Sequence, residues 1–148
     1  MTLTHVNDQG RARMVDVSHK PTSTREARAS GRVVMRPETL ATIRDKAIAK
    51  GDALAVAQIA GIMGAKSTAA TIPLCHPLPL TGIDLDFDTD IDSTSVHITS
   101  HVRTTAQTGV EMEALAAVTA AALTIYDMCK AIDKTMIIGE IRVIEKSK

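Results

Sequence analysis

Two places in this 148-residue chain set reactive side chains at spacings that could do chemistry. Asp127 and Lys130 stand at i and i+3, so on a helix they share a face and can pair. In a shielded cleft such a lysine serves as acid, base or phosphate clamp; on an exposed helix end the two form only an ion pair. The second place is the run IPLCHP at residues 72–77, which holds Cys75 and His76 between prolines. Proline fixes φ, removes a backbone donor and pushes its predecessor out of the α region. The run therefore reads as a stiff, extended track. Two readings stand: it presents Cys75 and His76 to a ligand, or it is a structural loop with a buried thiol and a hydrogen-bonded imidazole.

Other candidates weaken on inspection. The residues GAKST at 64–68 end like a phosphate loop, but Ala65 stands before Lys66 where the pattern needs glycine, and the segment follows a helix. Lys66 is left as a phosphate contact or a plain solvated lysine. A row of aspartates (Asp84, Asp86, Asp88, Asp90, Asp92) precedes His97 and His101. Zinc needs about four converging ligands, whereas a row alternating along a strand fans out. Cys75 and His76, as neighbours in an extended chain, point to opposite sides. No metal site is expected.

The elements that must position these residues follow from periodicity. Residues 1–30, rich in Arg, Ser, Thr and Asp, read as a mobile arm, and residues 31–148 as one domain. Arg32 to Met35 is a short strand. A helix starts at Pro37 and runs to Lys50, with Gly51 as its stop. Asp52 caps a second helix reaching about Ala65. Residues 82–92 alternate apolar and acidic with a period of two, and Val96 to Arg103 continues as a hairpin partner. The register expected from Ile91 facing Val96 places Asp90 opposite His97, Asp86 opposite His101 and Asp84 opposite Arg103. Thr108 and Glu111 match a capping box, so a helix is expected from Gly109. The uncharged run 114–126 makes that helix buried, and Met136 to Ile144 is a last strand. The order β-α-α-β-β-α-β predicts an α+β, ferredoxin-like domain: a four-stranded antiparallel sheet with helices on one face. Glu111 is assigned to the cap. Glu113 and Asp127 lie 14 residues apart, about 21 Å of helix rise. A compact site in one subunit cannot easily use both, so either the ligand is long or subunits share the site.

Composition removes several functions. Hydrophobic residues make up 45% and charged residues 23%, with zero net charge. Such a balance does not suggest nucleic acid or an anionic membrane. Phe87 and Tyr126 are the only aromatics, too few for a base-stacking platform. No run looks like a membrane span, the polar start is no secretory signal, and Cys75 and Cys129 make no disulfide framework. A cytoplasmic protein is expected.

IPLCHP (72–77), QTGVEMEAL (107–115) and AALTIYDMCKA (121–131) together resemble the signatures of the molybdenum-cofactor biosynthesis protein C family, the cyclic pyranopterin monophosphate synthases. MVDVS (14–18), REARA (25–29), KGD (50–52) and AGI-x-x-AK (60–66) are similar to that family as well. The resemblance implies a lyase that converts 3′,8-cyclo-7,8-dihydroguanosine 5′-triphosphate to cyclic pyranopterin monophosphate and pyrophosphate. It implies no cofactor, because proton transfers and triphosphate neutralisation suffice. Carried over residue by residue, it makes Asp127, Lys130 and Lys50 catalytic. Leu74, Cys75, His76, Met112 and Glu113 become substrate-binding, with Lys66, Lys20 and Arg25 as triphosphate contacts. It also implies a homohexamer, a trimer of dimers with sites at subunit interfaces. The family's frequent Gly/Lys/Ser-rich tail has no counterpart before Lys148. The competing expectation is a catalytically silent nucleotide-binding module on the same scaffold.

Overall fold

The computed structural model describes residues 3–148. Strands β1 (Ser23–Val34), β2 (Leu80–Asp88), β3 (Ser95–Ala106) and β4 (Ile137–Ser147) form one antiparallel sheet in the order β2-β3-β1-β4. Helices α1 (Pro37–Arg44), α2 (Ala53–Lys66), the single turn α3 (Thr68–Thr71) and α4 (Glu111–Cys129) complete the chain. Each half of the fold splits a strand–helix–strand unit around a strand of the other half, the ferredoxin-like arrangement the element order predicts.

The helix-covered face of the sheet is built from small residues. Ala27, Ala29 and Val33 of β1, with Val96, Ile98 and Val102 of β3, are buried against α4, whose Ala114, Ala117, Val118, Ala121 and Ile125 are fully buried. α4 is long and apolar enough to cross a membrane by composition, but its apolar face is occupied by this sheet. α2 lies close on α4: a Cβ at Gly64 would come within 2.7 Å of the Ala120 Cβ and 2.8 Å of the Ala116 carbonyl oxygen. The helix-pair distance is thus set by glycine facing alanine.

Several expected boundaries move. Ser23 to Ser30, expected in the arm, are the first eight residues of β1, where Ala27 and Ala29 alternate with half-buried Glu26 and Arg28. Before it, Val6 and Ala12 pair across a small turn closed by Asn7 and Gly10. α1 stops at Arg44, not Lys50, because Lys46 takes a positive φ of 53° and a turn follows. Asp52 caps α2 as expected, accepting from the Ala55 amide at 3.1 Å. The capping box is not formed: the N-cap is Val110, without a side-chain bond, and Glu111 instead faces Lys146 at 3.5 Å.

The hairpin register differs from the expected one by two residues. Asp88 pairs with His97, Asp84 with His101 and Gly82 with Arg103. The strand ends early because its last aspartates serve the turn: Asp88 Oδ1 accepts from the Asp90 amide and Asp92 Oδ1 from the Thr94 amide, each at 2.8 Å. The histidines are occupied within the sheet. His97 meets Asp92 and Ser95 through Nε2, and His101 bonds Glu26 at 2.6 Å and Arg103 at 2.8 Å.

Candidate active site

The C-terminal end of α4 carries a compact ionic cluster. Lys130, the C-cap residue, donates from Nζ to Asp127 Oδ1 at 2.7 Å. Lys50 comes from the loop between α1 and α2 and donates to the Asp127 main-chain oxygen at 3.0 Å and to Oδ2 at 3.3 Å. The carboxylate therefore stands between two ammonium groups, one per oxygen. All three side chains are about half exposed, at 58%, 52% and 45% for Asp127, Lys130 and Lys50, so a ligand can reach them.

Charge explains how the cluster titrates. Hydrogen bonds from Lys130, then Lys50, hold the Asp127 carboxyl below its usual range. The same bond to Asp127 raises Lys130 above the ordinary lysine range. Both groups are charged at neutral pH, and Lys130 is loaded with a transferable proton. Beneath them, burial pushes the Cys129 thiol up to about 11, which makes it an inert packing residue.

The other end of α4 forms a different surface. Glu113 is 4% exposed and lines a cavity of about 280 Å³ together with Lys66, Pro77, Leu78, Leu80 and Ile83. Burial lifts the Glu113 carboxyl above its usual range, and Glu111 adds to the rise. Burial, then the Glu113 charge, raises the Cys75 thiol. Cys75 is accordingly no ready thiolate nucleophile. The proline track is bent at its start, where the Cys75 amide donates to Ile72 O at 3.1 Å. His76 donates from Nε2 to the Val15 carbonyl at 2.6 Å and so ties the N-terminal segment to this loop. Leu74 is half-buried beside it, and Met112 lies exposed on the adjoining turn of α4.

Among the described residues, two expected phosphate contacts make no side-chain bond to either cluster. Lys20 is exposed in the N-terminal segment. Arg25 donates from Nε to Ala106 O and from Nη2 to Gln107 O, bracing the loop that leads into α4. The structure brings together Asp127, Lys130 and Lys50, and separately Cys75, Glu113 and Lys66, but not the two groups with each other. Asp133 is not among the candidates the sequence offers. Its side chain is fully buried beside the first cluster, and nothing in the run IDKT signals burial. Among the described residues no three His, Cys, Asp or Glu side chains converge as a metal site.

Fold and site together define an α+β protein with a solvent-open lysine–carboxylate cluster suited to proton transfer beside an anionic ligand. The chain belongs to the MoaC family, which it matches over residues 14–148. It is 58% identical over 147 residues to the cyclic pyranopterin monophosphate synthase of Thermoanaerobacter pseudethanolicus, covering 99% of this chain and 93% of that protein. The synthases of Heliobacterium modesticaldum and Brevibacillus brevis are 60% and 63% identical over 145 and 137 residues. These matches cover 98% and 93% of this chain, and 91% and 85% of those proteins.

Proposed function

We propose that this chain is a cyclic pyranopterin monophosphate synthase, a lyase of molybdenum-cofactor biosynthesis. It converts 3′,8-cyclo-7,8-dihydroguanosine 5′-triphosphate to cyclic pyranopterin monophosphate with release of pyrophosphate. The observation that carries this reading is the Asp127 carboxylate held between Lys130 at 2.7 Å and Lys50 at 3.3 Å. Opening and rebuilding of the purine-derived ring and closure of the cyclic phosphate require protons to be given and taken beside a strongly anionic group. Lys130 is the proton donor. Lys50 neutralises charge, and Asp127 holds both ammonium groups in place. A module that only bound nucleotide would need the cations but not a carboxylate locking them together.

Leu74, Cys75, His76, Met112 and Glu113 bind the pterin-forming part of the substrate in this reading, while Lys66, Lys20 and Arg25 reach the triphosphate. Arg25 must then leave its carbonyl partners. Glu113 and Asp127 stand at opposite ends of α4, so the site is completed by a second subunit. The assembly is a homo-oligomer, a hexamer built as a trimer of dimers. Exposed Ile59, Met63 and Leu123 and an apolar groove of about 280 Å³ lined by Gly64, Met112, Leu115 and Ala116 supply a surface for that partner. Both cysteines are free, in keeping with work in the cytoplasm.

The test is direct: incubate purified protein with the cyclic nucleotide and follow pyrophosphate release and product fluorescence after oxidation. Stoichiometric formation of both products is expected. Binding without either product would leave the silent-module reading in its place.

A further inference from the structure

Asp133 is a buried carboxylate outside the cluster, with a side-chain exposure of 0%. A charge placed there is costly unless paired and hydrogen-bonded. Its bonds are complete: Oδ2 accepts from the Arg36 amide at 2.9 Å and Thr39 Oγ1 at 3.0 Å. Oδ1 accepts from the Thr135 amide at 2.9 Å and Thr135 Oγ1 at 2.6 Å. The Arg36 guanidinium lies 3.5 Å from Oδ1 and also bonds the Ile132 carbonyl. Every one of these contacts falls on one of two segments. One is the turn after Lys130, closed by Asp133 N and Ile132 N on the Cys129 carbonyl. The other is the first turn of α1, whose N-cap Arg36 has no capping side chain of its own.

From α1 the path towards Lys50 is braced at several points. The amides of Asp45, Lys46 and Ala47 donate back to Ala41, Ile43 and Thr42, and Gly51 donates to Ile48 O. Ile48 is buried, and Lys46 pairs with Asp52 at 3.3 Å. The loop bearing Lys50 is therefore anchored to the end of α1. We infer that Asp133 is a positioning residue for the Lys50–Asp127–Lys130 cluster. By tying the first turn of α1 to the turn that follows Lys130, it sets where the two ammonium groups meet Asp127. The catalytic meaning of this rests on the function proposed above; the geometric claim does not.

The variant is Asp133→Asn, which keeps the shape but turns one acceptor oxygen into an amide NH2 donor facing other donors. Thr39→Val removes one arm of the clamp while leaving the carboxylate, and serves if Asp133→Asn fails to fold. The first readout is the Asp127 carboxyl titration by NMR, well below each variant's melting temperature. A loosened cluster returns Asp127 towards the ordinary carboxylate range. A purely structural Asp133 lowers the melting temperature and leaves Asp127 titrating as in the parent. The second readout is turnover: kcat is expected to fall ~10-fold or more with KM little changed, the cost of misplaced catalytic groups. An unmoved Asp127 titration in the folded variants overturns the inference, whatever the activity. A moved titration together with a parent protein that makes no product upholds the clamp and rejects the function.

Discussion

Asp127 decides the electrostatics of its end of α4, and the consequences can be measured residue by residue. Two ammonium groups set around a phosphate site with no carboxylate between them would repel each other. The Asp127 carboxylate stands between them, and Lys130 is raised, chiefly by its hydrogen bond to Asp127. The signs follow. Asp127, with its pKa depressed, stays ionised at any pH above the ordinary carboxylate value of about 3.9. Lys130 keeps its proton until pH exceeds the ordinary lysine value of about 10.4. A kcat–pH profile should therefore show no titration of this pair between about pH 5 and 9, and a bell centred near neutrality with pKa values assigned to Asp127 and Lys130 would refute the assignment. Lys130→Arg keeps the charge but cannot release a proton at working pH. It is expected to bind substrate and lose at least ~10²-fold in single-turnover rate, the usual share of acid–base catalysis. Lys50→Arg is expected to retain much more, because charge is its contribution, and equal retention in both variants would make Lys130 a phosphate clamp only.

At the scale of elements, the α2–α4 contact and the β2–β3 hairpin carry the two clearest expectations. Gly64→Ala gains helix propensity of about 1 kcal/mol, yet its Cβ meets the Ala116 carbonyl at 2.8 Å. Overpacking costs about 1–3 kcal/mol, so a lower melting temperature is expected in thermal unfolding, and an unchanged or higher one would show that the helices separate freely. His97→Gln and His101→Gln should leave turnover within a few-fold, since both rings face Asp92, Ser95, Glu26 and Arg103 and not the candidate site. EDTA should leave the fold intact, and a fall of ~10 °C with chelator would contradict a metal-free hairpin. The same elements explain how far sequence carries. The order of strands and helices was legible because α2, α4 and β3 have strong patterns, and Asp52 announces its helix. The first part of β1 was not, because Ala27 and Ala29 are too small to mark an apolar face, although the close approach of α4 requires their size. The register slipped because an aspartate on a strand and one bonding its own turn read alike. Asp127–Lys130 could be read from i,i+3 spacing, whereas Lys50 lies 77 positions away and reaches Asp127 only through the tertiary fold.

For the whole molecule, the proposed function asks the two ends of α4 to serve one reaction. Glu113 and Lys66 line one cavity with Cys75 near enough to feel the Glu113 charge, and Asp127, Lys130 and Lys50 gather at the opposite helix end. If subunits complete each other's sites, sedimentation at micromolar concentration should give an oligomer, and a monomer with full activity would contradict the account. The most direct measurement mixes two dead variants. Asp127→Asn damages one end of α4 and Glu113→Gln the other, so each alone should release pyrophosphate far more slowly than the parent. Unfolded and refolded together, they form sites that can draw an intact Asp127 from one chain and an intact Glu113 from its neighbour. Pyrophosphate release should then recover towards about a quarter of the parent rate, the share of doubly intact sites under random pairing in a symmetric assembly. A mixture no faster than the average of its two components would contradict a site shared between chains.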